Sequence, residues 1–196
     1  MARLAFHTPP GYTLTELMLV LAFIGAVAGI SVPAAVGTIE AIRTAAAARF
    51  LAARIADARA EAVKRSATVG LRFQAAGADY AFTRFLDTNG NGLRSADVTS
   101  GADVPLGRTE RLAEHFAGTG IGLLPGIPDL NGVSGSTDGL QIGPSSFLSL
   151  SPDGSCTGGT VYVHGSRSQY AVRVLGATGR LRLFRYDTGT RRWVTP

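Results

Sequence analysis

The chain contains a single cysteine, Cys156, so it can form neither an intramolecular disulfide framework nor a multi-cysteine zinc or iron–sulfur site. Its three histidines, His7, His115 and His164, lie far apart, which argues against a histidine-rich metal centre. Lysine is nearly absent, and Lys64 is the single one. There is no Gly-x-Ser-x-Gly elbow and no cysteine–histidine pattern around Cys156, which reads as inert. Nor is there a phosphate-cradling glycine loop ending in lysine. These absences make the chain non-enzymatic in this reading, with no cofactor.

Charge is missing locally too. No ionisable residue occurs from Leu17 to Ile39, a run of 23 residues rich in Leu, Val, Ile, Ala, Phe and Gly. As a helix it measures about 35 Å at 1.5 Å per residue, enough for a hydrocarbon core of roughly 30 Å. A buried core helix with no polar stripe does not suit so small a protein. A cleaved secretory signal is the rival, with Ala26-Val27-Ala28 as its small-residue site. Two features oppose it: the apolar pattern runs past Ala28 unbroken, and Glu16 stands at its mouth. A carboxylate at bilayer depth costs roughly 2.5–3.5 kcal/mol and is a functional hypothesis by default.

The 196 residues are 45% hydrophobic, a globular composition. The length suits one domain, or one domain with an appendage. Net charge is +5, from nineteen basic and fourteen acidic residues. Seven of the arginines and one acid, Asp187, lie between Arg167 and Pro196, so that segment is +6. The first 166 residues keep twelve basic and thirteen acidic groups and sum to −1. The basic character belongs to the last thirty residues.

Gly11-Tyr12-Thr13-Leu14-Thr15-Glu16 before the apolar run resembles the prepilin-peptidase site of type IV pilins and type II secretion pseudopilins. Tyr12 stands where the family usually has Phe, and Pro33 falls where many of these helices carry a proline. The resemblance implies cleavage between Gly11 and Tyr12 on the cytoplasmic side of the inner membrane. Residues 1–11 are then a leader, 12–39 a single-pass transmembrane helix, and the head periplasmic. It also implies methylation of the new Tyr12 amine and pairing of Glu16 with the amine of a neighbouring subunit. In a low-dielectric membrane such a pair is strong and fixes register. The plainer reading of Glu16 is a helix-start acid that complements the macrodipole.

Residues 40–66 turn Ala- and Arg-rich, with neither Pro nor Gly from Ile39 to Ala67. Leu51, Ile55, Ala58 and Ala62 share one face, so the segment reads as an amphipathic helix continuing the first and laid against a head. If continuous, the helix measures roughly 80 Å, and Pro33 could bend it. Beyond Ser66 the signals are β. Val69, Leu71 and Phe73 alternate with polar or small residues, Ala76–Asp79 is a turn, and Tyr80–Leu86 completes a hairpin. Phe147–Leu150, Thr160–His164, Tyr170–Leu175 and Arg180–Tyr186 read as further strands. Residues 117–146 read as loop with at most one short strand. The fold class is α+β, a long N-terminal helix packed on an antiparallel β head spanning 67–196.

Three short segments are similar to GspH/FimT minor pseudopilins: Asp87-Thr88-Asn89-Gly90-Asn91-Gly92, the Ser151-Pro152-Asp153-Gly154 turn, and Thr178-Gly179-Arg180-Leu181-Arg182. The resemblance implies a structural or priming subunit whose partners are other pilins or pseudopilins and the prepilin peptidase. A Gly-Arg-x-Arg segment is also associated with DNA uptake in FimT-like members.

Asp87, Asn89, Asn91 and Gly92 match the first half of an EF-hand-like calcium loop. Position twelve is Val98, however, with Asp97 one residue early, and a tight Asn-Gly hairpin accounts for the same residues. In the C-terminal region, a loop at Gly176–Gly179 sets Leu175 opposite Arg180, Val174 opposite Leu181 and Arg173 opposite Arg182. Val172, Val174, Leu181 and Leu183 then share the core face. Arg173, Arg180 and Arg182 share the outer one with Phe184 and Tyr186, while Arg185, Arg191 and Arg192 lie peripherally. Arginine with aromatics suits nucleic acid. A charged edge that discourages sheet pairing is the plainer reading, and an acidic protein or lipid is a third.

Overall fold

The computed structural model describes residues 11–77, 79–135, 138–143 and 145–196, and the backbone alone for 30–35. The chain divides into two units, Met1–Thr38 and Ile39–Pro196. Helix α1 (Leu14–Arg65) begins in the first and ends in the second. Leader residues 1–10 and the side chain of Pro33 lie outside the described residues.

In the first unit, Thr13 opens α1. Its hydroxyl accepts the Glu16 N–H at 3.3 Å and its carbonyl accepts the Leu17 N–H at 3.1 Å, so two of the first turn's amide donors are satisfied. Large apolar side chains then stand exposed around the helix, among them Leu19, Leu21, Phe23 and Ile24. Among the described residues no helix is long and apolar enough to cross a membrane. The uncharged run Leu17–Ile39 includes positions 30–35, whose side chains are not described.

In the second unit, the rest of α1 buries one face. Leu51, Ile55, Ala58 and Ala62, the residues expected to face a core, are at most 1% exposed. The helix closes at Ser66, whose φ is +50°. The Ser66 N–H reaches the Val63 carbonyl and the Ala67 N–H the Ala62 carbonyl, a Schellman closure with serine in the usual glycine position.

Two antiparallel sheets follow among the described residues. The first contains β1 (Val69–Ala76), β2 (Asp79–Leu86), β3 (Val104–Pro105), β4 (Glu110–Arg111) and β7 (Phe147–Leu150), in the order β3-β2-β1-β7 with β4 also on β2. The second contains β5 (Gly120–Ile121), β6 (Leu140–Ile142), β8 (Gly159–His164), β9 (Gln169–Leu175), β10 (Arg180–Asp187) and β11 (Arg192–Val194). Its order is β11-β10-β9-β8-β5, with β6 also on β8. Of two short helices, α2 (Ser95–Ser100) lies between β2 and β3 of the first sheet, and α3 (Leu112–His115) leads from β4 of the first sheet to β5 of the second. The buried helix face packs with Val69 and Leu71 of β1, Leu148 and Leu150 of β7, Val161 and Val163 of β8, and Val172 and Val174 of β9, so both sheets meet one helix.

The α+β class holds, and the antiparallel head is built of two sheets. Residues 117–146 carry two short strands, β5 and β6, instead of one at most. Side chains hold this region together. The buried Gln169 amide donates to the carbonyls of Gly122 and Val163 and accepts from the Leu124 N–H. The Tyr162 hydroxyl donates to Gln141 Oε1 at 2.9 Å and accepts the Leu130 N–H.

Ion pairing fixes the helix to the first sheet. Arg54 donates through Nε and Nη2 to Glu110 Oε2 at 3.2 and 2.9 Å. At the other end Glu40 receives the β8–β9 turn. Its Oε1 accepts the N–H groups of Arg167 and Ser168, and its Oε2 accepts the Ser168 hydroxyl at 2.8 Å. A side chain at Gly165 would collide with the Glu40 carboxylate and the Thr44 hydroxyl. Burial tends to raise the Glu40 pKa, but hydrogen bonds from Arg167, Ser168 and Ser166 outweigh it and hold the carboxyl below its ordinary value.

Candidate functional site

A cluster of arginines in the second unit is built on the β9–β10 hairpin. Register follows from two alternating apolar strands joined at Gly176–Gly179, since a one-residue slip would turn the valines to solvent. The observed partners are Leu175 with Arg180, Val174 with Leu181, Arg173 with Arg182 and Leu183 with Val172, as the alternation predicts. Val172 and Val174 are buried, and Leu181 and Leu183 pack on the same core. Arg173, Arg180 and Arg182 therefore share the opposite face, with Arg173 half-buried and the other two exposed. Among the described residues none of the three forms an ion pair.

The aromatic half of the expected platform is not free. Phe184 packs with Leu123, Tyr162, Ala171 and Trp193 in a small second core. Tyr186 lies edge-on to Trp193, ring centroids 5.4 Å apart, and Trp193 Nε1 donates to the Pro128 carbonyl. These rings are spent on the fold, which leaves the arginines without a stacking surface. Arg185 stands opposite Tyr170, on the strand face away from Arg180 and Arg182, so it does not join their cluster.

The helix adds cations the linear reading did not place there. Arg59 and Lys64 of α1 line a groove of about 660 Å³ together with Arg180, and its floor is Ile55, Leu150 and Leu181. Arg49 and Arg182 line a second cavity of about 390 Å³ beside Leu183 and Pro196. The signal for these cations is helical spacing: positions 49, 59 and 64 fall between the buried ones, and only tertiary packing reveals which strand they meet. Gly179 permits the arrangement. Its φ is +61°, and an added Cβ would lie 2.8 Å from the Gly154 carbonyl and 3.0 Å from Arg59 Nε. The guanidinium of Arg59 lies against Gly154 and Gly179.

Tyr12, Leu14 and Glu16 are exposed at the start of α1. Nothing lies within 4 Å of a Cβ placed on Gly11. Among the described residues Glu16 has no ion-pair partner. The Thr13-x-x-Glu16 spacing is that of a capping box, and the Thr13 hydroxyl to Glu16 N–H bond is its first half.

Asp87 is buried, its oxygens accepting the N–H groups of Gly90 at 2.8 Å and Gly92 at 2.9 Å. Asn89 Oδ1 accepts the Asn91 N–H. The segment does not close a tight hairpin, because the next partner of β2 is β3, reached only after α2. Among the described residues no three His, Cys, Asp or Glu side chains are grouped so as to hold a metal ion. Cys156 is half-buried, and its thiol lies 3.5 Å from the Leu175 carbonyl. Burial pushes its pKa up, with the charge of Arg59 opposing. It is therefore held as the unreactive thiol.

The chain is 39% identical over 84 residues to the pilin-like protein PilA1 of Thermus thermophilus, a match covering 43% of this chain and 52% of that protein. It thus spans about half the length of the curated relative it matches. No family model and no solved structure matches the chain. The likeness is to a pilin-like protein, over 84 residues, and carries no likeness to the GspH/FimT group.

Proposed function

We propose that this protein is a minor pilin or pseudopilin. It is a non-enzymatic, single-pass inner-membrane subunit, processed by a prepilin peptidase and assembled with other pilins into a type IV pilus or a type II secretion pseudopilus. One observation carries the reading. After Gly11, a capped helix presents Glu16 and then large apolar side chains exposed on all sides. A helix apolar all round needs lipid or other helices to cover it. The similarity to a pilin-like protein and the Gly11–Glu16 pattern support the same reading.

Sequencing the N-terminus of the mature protein, produced together with its peptidase, tests this. The expected first residue is Tyr12, and Gly11→Val leaves the precursor uncut. A mature chain beginning at Gly29 instead makes the apolar run a secretory signal and ends the pilin reading.

A second reading is favoured by the juxtaposition of Arg59 and Lys64 with Arg180. On this reading the subunit captures DNA for uptake, Arg173, Arg180 and Arg182 neutralising phosphates without base recognition. Since the nearby aromatics are packed away, binding is electrostatic and depends steeply on salt.

A further inference from the structure

The chain leaves β2 at Asp87, runs through Asn89, Asn91 and α2, and enters β3 at Val104. In a linear frame this loop lacks its closing acid, since Val98 stands there and packs on Phe85, Leu93 and Phe147. The fold brings one in from beyond the frame. Asp103 turns back toward the middle of the loop, its Oδ2 3.4 Å from the Arg94 N–H. The Asp103 N–H donates to the Asp97 carbonyl at 3.1 Å, and the Thr88 hydroxyl donates to the Ala102 carbonyl. These bonds draw the two ends of the loop together.

Asp103 is 1% exposed, yet its Oδ1 is buried with no hydrogen-bond partner. Asp97 Oδ2 is buried and unpartnered as well. An unsatisfied buried carboxylate oxygen is costly, and one short loop holds two. At the other end, Asp87 uses each oxygen for one loop N–H, which leaves further acceptor capacity on both.

We infer that loop 87–103 binds a calcium ion, with Asp97 and Asp103 supplying the charged oxygens and the Asn89–Asn91 stretch and main-chain carbonyls the neutral ones. Two carboxylates with neutral oxygens suit calcium, which takes six to eight oxygen ligands in flexible geometry, over zinc, which prefers four nitrogen or sulfur ligands. They also set the affinity. The expected Kd is on the order of 10⁻⁴–10⁻³ M, the range of extracellular modules. The inference is independent of the filament reading.

The test uses the full chain in detergent micelles, stripped with chelator and melted against rising CaCl2 at constant ionic strength, with a parallel MgCl2 series. The melting temperature is expected to rise and saturate with CaCl2 below about 10 mM and to respond little to MgCl2. Asp103→Asn raises the half-saturating concentration at least about tenfold, the neutral side chain losing a charged ligand. The control Asp153→Asn, in another loop, leaves it unchanged. If Asp103→Asn does not fold, Asp97→Asn gives the corresponding shift, and equilibrium dialysis of radioactive calcium on the unaltered chain reads binding directly. No saturable response of the unaltered chain, an equal response to MgCl2, or an unchanged half-saturation in both variants overturns the proposal.

Discussion

Arg182 stands directly opposite Arg173 across the β9–β10 ladder, so two guanidinium groups occupy one face of a strand pair, and among the described residues no carboxylate bridges them. Like charges in this relation destabilise a sheet. The hairpin keeps its register because the other face holds Val172, Val174, Leu181 and Leu183. Arg180→Gln combined with Arg182→Gln should therefore leave the melting temperature unchanged or raise stability by up to about 1 kcal/mol. In a gel-shift assay with duplex DNA, the unaltered chain should bind with a log–log salt slope of about −2 to −3, for three phosphates neutralised. The double variant should not bind. Absence of a shift at low salt assigns the arginines to a solvated edge or a subunit contact.

Glu40 links stability to pH. Its folded carboxyl titrates below the ordinary glutamate value, so the unfolded chain takes up the proton first as pH falls. The Glu40 contribution is present above the ordinary glutamate pKa of about 4.5 and is lost as pH drops through the lower folded value. Glu40→Gln should cost about 1 kcal/mol near neutral pH, the low end for hydrogen bonds to a charged group because this one is partly in water. Denaturant titrations of both proteins should converge at acid pH, and a constant gap from neutral pH downward contradicts the assignment.

Gly179→Ala should destabilise the head by about 1–3 kcal/mol, through the positive φ and the approach to the Gly154 carbonyl. Gly77, also at positive φ but with open space around it, isolates the dihedral penalty, so Gly77→Ala should cost less. Equal losses at the two sites would show that the close contact at Gly179 contributes nothing.

Glu16→Ala removes a charge from the mouth of the apolar run. Membrane association measured by fractionation should persist or improve. If Glu16 pairs with the amine of a neighbouring subunit, incorporation into sheared filaments should fall. Unimpaired assembly leaves Glu16 with a helix-start role alone.

Strands with strict alternation and one buried face were legible from residue order, and the β9–β10 register is the clearest instance. The buried helix face was legible for the same reason: a spacing of four, three and four admits one solution. The strands within 100–146 were not. β3, β4, β5 and β6 are two or three residues long, too short for a period, and are held by partners from far along the chain: the Arg84 carbonyl accepts the Leu106 N–H beside β3, Arg54 bonds Glu110 of β4, Gln169 bonds Gly122 and Leu124 beside β5, and Tyr162 bonds Gln141 of β6. The cationic groove was half legible. Its hairpin arginines stood out by density, whereas Arg59 and Lys64 looked like ordinary solvent-facing helix positions. The aromatics misled because a Phe or Tyr outside one core was taken to be outside every core, and sheet two has apolar packing on both faces.

The bond between Glu40 and Ser168 joins residues 128 positions apart. At roughly 5–20 residues per second of synthesis, some 6–26 seconds separate the emergence of the two. For most of that interval Leu51 and Ile55 are without their β8 and β9 partners. The head therefore closes late, and the nascent chain spends many seconds with an apolar helical stripe exposed. Protection of that stripe during biogenesis is thus a requirement that this pairing of first helix and late hairpin imposes.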